Sequence, residues 1–107
     1  MEIKNAIIER ASLSIEEHGF LTCYLTLDYG GSGQGFGGYV LALPRSSHNF
    51  RRETTGAWHI MRIMEIAGVN NWFDLVGKTI RAKATLTKVS AIGHIIKDDW
   101  FSPEEEK

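Results

Sequence analysis

Between residues 20 and 29 the chain alternates: Leu21, Cys23, Leu25, Leu27 and Tyr29 fall on one parity, Thr22, Thr26 and Asp28 on the other. Successive strand side chains point to opposite faces, so this period of two predicts a half-buried strand. The period returns at residues 78–87, placing Ile80, Ala82, Ala84 and Leu86 inward and Thr79, Arg81, Lys83, Thr85 and Thr87 outward. A chain patterned this way in two separate places calls for an antiparallel sheet with one covered face.

The remaining segments fit around that sheet. Residues 3–15 read as a strand with Ile3, Ile7, Ala11, Leu13 and Ile15 on one parity, and Ile8 breaking the pattern. Glu16, Glu17, His18 and Gly19 form a turn signal, so the first two strands pair as a hairpin. A short apolar run from Tyr39 to Leu43 reads as a third strand. Thr54 or Thr55 caps a helix carrying Ala57, Ile60, Met61, Ile63, Met64 and Ala67, and Gly68 stops it. Asn71 caps a single turn through Leu75, and a final strand covers about 89–97. The fold class is therefore α+β, with order β-β-β-α-β-β and the helix packed on one face of a mainly antiparallel sheet. The runner-up is a small OB-like barrel, whose helix sits between the third and fourth strands. Residues 1–101 read as one domain and residues 102–107 as an acidic, disordered tail.

A chain of 107 residues, 43% hydrophobic and 23% charged, can bury one core without staples. Cys23 is the lone cysteine, so no intramolecular disulfide forms, which fits a reducing compartment. The N-terminus lacks a signal-peptide pattern, and no apolar run spans a bilayer; secretion and membrane insertion are disfavoured. The net charge of −1 is unevenly spread. Residues 1–43 hold two bases and five acids; residues 44–97 hold nine bases and three acids; residues 98–107 hold one base and five acids. The basic middle points to an anionic partner, or it balances the acidic ends within the fold.

Residues 30–38 are dominated by glycine. Gly33-Gln34-Gly35-Phe36-Gly37-Gly38 matches a dinucleotide fingerprint formally, but no helix opens behind it, so that reading fails on context. Two readings stay open: a nest of backbone N–H groups that binds phosphate, with Phe36 and Tyr39 stacking on a base, or glycines placed where strands bend and approach. Arg45, Arg51 and Arg52, with His48 and Phe50, make a basic loop of the composition used at nucleotide sites. Arg81 and Lys83 share the polar face of their strand and extend that surface, or merely solubilise it. The candidate ligand-binding set is therefore Gly33, Gln34, Gly35, Phe36, Tyr39, Arg45, Arg51, Arg52, Arg81 and Lys83, with Arg51 or Arg52 and Arg81 or Lys83 expected to face one cleft with the glycines. Histidines 18, 48, 59 and 94 show no metal spacing, His94 reads as structural, and Cys23 reads as an inert buried thiol. No catalytic residue, metal ligand or cofactor is named.

Three groups of residues carry a family likeness. They are Glu17-His18-Gly19 with Asp28-Tyr29-Gly30-Gly31 and Gln34-Gly35-Phe36-Gly37-Gly38-Tyr39; Gly68-Val69, Trp72, Leu75 and Gly77-Lys78; and Ile92-Gly93-His94-Ile95-Ile96-Lys97-Asp98 with Trp100-Phe101. They resemble a family of small bacteriophage- and prophage-encoded proteins of unassigned function. The likeness runs nearly the whole length, aligning least at 44–53. It implies expression in the cytoplasm of an infected bacterium and a small accessory role, such as countering a host defence system. The expectation is a non-enzymatic protein binding an anionic, nucleotide-containing ligand. A direct inhibitor of a host defence protein and a single-stranded nucleic-acid binder are the alternatives, and a homo-oligomer remains open.

Overall fold

A computed structural model describes residues 1–44 and 55–105. Its strands are β1 (Glu2–Ile15), β2 (Leu21–Asp28), β3 (Gly33–Ala42), β4 (Thr79–Ala84), β5 (Val89–Gly93) and β6 (Trp100–Phe101). One helix, α1 (Thr55–Ala67), and a 3-10 turn at Trp72–Asp74 lie between β3 and β4. The order matches the expected β-β-β-α-β-β, with a two-residue sixth strand added.

All pairings are antiparallel, in the order β3-β2-β1-β4-β5-β6. The sheet curls into a half-barrel, so that β3 approaches β5 although three strands separate them in the order. Across the remaining gap, Gln34 donates through Nε2 to the Thr85 carbonyl at 3.0 Å. Phe36 meets Phe101 edge-on, with centroids 6.4 Å apart.

β1 is shared between two neighbours. Residues 2–7 pair with β4, and Ile7 onward pairs with β2. A register shift after Ile8 leaves Glu9 as an extra residue. One inserted residue reverses which parity faces the core. The expected inward set is corrected accordingly. Ala6 and Ile8 are the buried residues of the first half, while Ile3 and Ile7 are exposed. After the bulge Ala11, Leu13 and Ile15 share the face of Leu25, Cys23 and Leu21.

The core joins Ile8, Leu25, Leu27, Phe36, Leu75, Ile80, Ile92 and Phe101 with Ile63 and Ile66 of α1. Burying each such side chain contributes about 1.5–3 kcal/mol. Leu86 is not among them: β4 ends at Ala84, and Leu86 is 95% exposed at the tip of the β4–β5 turn. Thr85 builds that turn, its Oγ1 accepting from the Thr87 and Lys88 N–H groups.

α1 ends as its sequence predicts. Gly68 has φ +74°, its N–H reaches the Glu65 carbonyl, and the Val69 N–H reaches Met64. That pair of bonds is the Schellman arrangement, which satisfies carbonyls left open at a helix end. Asn71 caps the following turn by accepting from the Phe73 N–H at 3.1 Å.

Two further expectations change. β5 stops at Gly93, and His94 turns the chain, its Nδ1 accepting from the Ile96 and Lys97 N–H groups at 3.0 Å each. Ser102 to Glu105, expected to be disordered, form a turn with Pro103 buried and Glu104 paired with Lys88. Among the described residues no helix is long and apolar enough to cross a membrane.

Candidate functional site

Gly33 to Gly38 belong to β3 rather than to a loop, which corrects the expected start of the third strand at Tyr39. Gly33, Gln34 and Gly35 stand opposite Asp28, Leu27 and Thr26 in the β2 ladder. A Cβ on Gly35 would collide with the Tyr24 ring, so the phenol lies directly over the glycine. Gly37, at φ +127°, sits where the β2–β3 register shifts, and a Cβ there would strike the backbone of Cys23 and Tyr24. These glycines admit a bend and a covering ring, which is the structural of the two readings left open.

Neighbouring residues of the expected set are similarly engaged. Gln34 accepts from the Tyr29 hydroxyl at 2.6 Å and holds Thr85 with its other end, tying β3 to the β4–β5 turn. Phe36 is buried in the core, so its ring is not presented for stacking. Tyr39 is half-exposed and contacts His59 of α1 edge-on, at 6.0 Å between centroids. Its hydroxyl pKa is raised, first by burial and then by Glu104, against the opposing effect of Lys88. Arg45, Arg51 and Arg52, like His48 and Phe50, lie outside the described residues.

Arg81 and Lys83 do come together, but around a residue absent from the expected set. On β4 they alternate with the buried Ile80, Ala82 and Ala84, which puts them on the sheet's outer face. Arg81, Gly93 and Trp100 form one cross-strand row. The Trp100 indole lies on Gly93, where any Cβ would strike the ring. Lys83 Nζ stands 4.3 Å and the Arg81 guanidinium 4.8 Å from the ring centroid. Such cation–π contacts hold charge beside an aromatic face for about 0.5–1 kcal/mol each at exposed sites.

The cluster is fixed in place. Arg81 donates from Nε to the His94 carbonyl and from Nη2 to Lys97, both at 2.7 Å. Trp100 Nε1 donates to Asp98 Oδ1 at 3.0 Å. Beneath the turn, Arg62 of α1 reaches Asp99 at 2.7 Å and the Trp100 carbonyl at 3.1 Å. The Asp99 carboxyl is held below its ordinary value, chiefly by the hydrogen bond from Arg62. Lys83 is different: among the described residues no carboxylate stands within ion-pair distance of its ammonium. An open groove of about 560 Å³ runs beside it, lined by Lys83, Ser90, Trp100, Ser102 and Glu105 among others.

The outer face thus carries two rings laid over cross-strand glycines, Tyr24 on Gly35 and Trp100 on Gly93. Only Trp100 has both cations beside it. The sequence marks Trp100 only as part of the Trp100-Phe101 pair; its position over Gly93 depends on the β5–β6 pairing. Arg81 and Lys83 therefore meet Trp100. Among the described residues no group of three or more His, Cys, Asp or Glu is placed to hold a metal ion.

No protein-family model, curated protein or solved structure matches this chain.

Proposed function

We propose that this protein binds an anionic, nucleotide-containing ligand without transforming it, and that the site is the outer face of β4–β6. The observation that carries the proposal is the indole of Trp100 laid on Gly93 with the Lys83 ammonium and the Arg81 guanidinium held over its ring. An aromatic ring carrying cations is the chemistry that receives a base and its phosphate, the base taking the ring face as the Lys83 ammonium turns to the phosphate. Arg81 is committed to two backbone carbonyls and acts as a fixed field. Among the described residues Lys83 has no carboxylate at ion-pair distance, and it is the cation we assign to a phosphate. Glu104 and Glu105, which also line the groove, repel phosphate and orient the ligand with its charged end toward Lys83. The setting that goes with this reading is the family likeness above: a phage accessory protein in an infected bacterium, withholding a nucleotide signal from a host defence system.

The test is equilibrium titration with mononucleotides and short oligonucleotides at two ionic strengths. Lys83→Gln should weaken binding more at low salt than at high salt, because screening already removes part of the charge effect. Trp100→Leu should weaken it at both. Binding that neither substitution changes would remove the site.

A second reading has its own support. The strand order, the bulged β1 shared by β2 and β4, and the helix between β3 and β4 favour the OB-like alternative. OB-folds bind oligonucleotides across the face of strands 2 and 3. Tyr24, exposed on that region over Gly35, would be a second stacking platform. A ligand that must span both rings is a single strand, and oligonucleotides would then bind far more tightly than mononucleotides.

A further inference from the structure

Among the described residues the second half of β1 has a neighbour on one side only. β4 pairs with residues 2–7, and the last contacts on that side are the Ile8 N–H to Lys78 and the Gly77 N–H to Ile8. Among the described residues no strand pairs with that edge from Arg10 to Ile15. The phase of the ladder says which groups face it. Glu16 donates its N–H to Phe20, so Ser14, Ser12 and Arg10 exchange their bonds with β2. Alternation then turns the N–H and C=O of Ala11, Leu13 and Ile15 toward the open edge. A groove of about 400 Å³ lies there, lined by Ala11, Ser12, Leu13, Trp72 and Phe73. Consecutive strand residues line one groove only where it runs along the strand's edge. Its apolar rim is left in solvent: Phe73 is 88% and Ile15 73% exposed.

We infer that this edge pairs with the same edge of a second copy, giving a two-fold dimer joined antiparallel through β1. The partner is argued from self-complementarity. With the two-fold axis at Leu13, Leu13 faces its own copy, Ala11 faces Ile15, Ser12 faces Ser14 and Arg10 faces Glu16. The edge-directed residues Ala11, Leu13 and Ile15 face one another, so their open N–H and C=O groups are satisfied. Their side chains fall on one face, beside Phe73. On the other face each Arg10 meets a Glu16 of opposite charge, and cross-strand pairs of that kind are stabilising. Glu16 is already held at the strand end, its Oε1 accepting from the His18 and Phe20 N–H groups. An isologous contact of this form closes on itself, so it stops at two copies. The inference is independent of the ligand reading, because it uses no residue of the Trp100 cluster.

The experiment is sedimentation velocity on the full chain, with two variants. At roughly 100 µM, about a hundredfold above a Kd of 1 µM, the wild type should sediment as a dimer. Arg10→Glu and Glu16→Lys each place like charges opposite, and each alone should weaken the dimer about tenfold. Mixed together they should recover it. In the mixed dimer the glutamate introduced in one chain faces the lysine introduced in the other, while the unaltered Arg10 and Glu16 face each other. Circular dichroism of each variant confirms that it is folded. A wild type that stays monomeric at that concentration overturns the proposal. So does a dimer whose strength neither variant changes, or a mixture no stronger than its components, since the contact would then lie elsewhere.

Discussion

Tyr24 over Gly35 and Trp100 over Gly93 show how one missing Cβ decides where a ring lies. At Gly35 the consequence is mechanical. A side chain there must displace the phenol, so Gly35→Val should lower stability by about 1–3 kcal/mol. The loss should shrink in a Tyr24→Ala background, where the obstruction is gone, and a double-mutant cycle read by urea denaturation measures that coupling. Equal losses in both backgrounds would show that the ring is not what excludes a side chain. Cys23 gives a second residue-scale test. Burial pushes its thiol pKa up to about 11, which leaves almost no thiolate near neutrality. Alkylation of the native protein at pH 8 should be slow and should accelerate sharply on adding denaturant.

Elements were legible in the sequence where their period was unbroken and illegible where a single residue changed it. β2 and β4 keep a period of two, and Cys23, Leu25, Leu27, Ile80, Ala82 and Ala84 are buried as their parity requires. β1 does not, because Glu9 is inserted: residues of odd number then divide between two faces, and Ile8, the apparent exception, is the core residue. Composition alone cannot reveal a bulge, since its cause is the register of the neighbouring strand. β3 was hidden for a related reason. Glycine usually punctuates loops, yet here it serves a strand that bends beneath Tyr24. α1 offers the plainest check on packing. Ile63→Ala should cost about 2–5 kcal/mol, whereas Met61→Ala, at an exposed position, should cost little. The helix is also tied to the β5–β6 turn through Arg62 and Asp99. Because the folded carboxyl titrates below its ordinary 3.8, the stability it adds is complete above that value and disappears as pH falls through the lowered one. Asp99→Asn should therefore narrow the gap between urea midpoints measured at pH 7 and near pH 3.

For the molecule as a whole, the sequence foretold the α+β order and the outward direction of Arg81 and Lys83, but not what they would meet. It grouped them with the glycines, because both kinds of residue suit an anion. The two-residue strand β6 brings Trp100 to them. That pairing depends on a turn built by His94 and Arg81, contacts invisible to periodicity. The role we propose for this cluster is to receive a nucleotide-containing anion. Its most direct measurement uses a chain with Trp58→Phe and Trp72→Phe, so that Trp100 alone emits. Titrated with a mononucleotide and with a short single-stranded oligonucleotide at low salt, the emission should be quenched saturably by at least one of them. In a Lys83→Gln version the midpoint should move to higher concentration. Emission that stays unchanged while an independent binding assay reports a bound nucleotide would contradict the account, because the ligand would then sit away from Trp100.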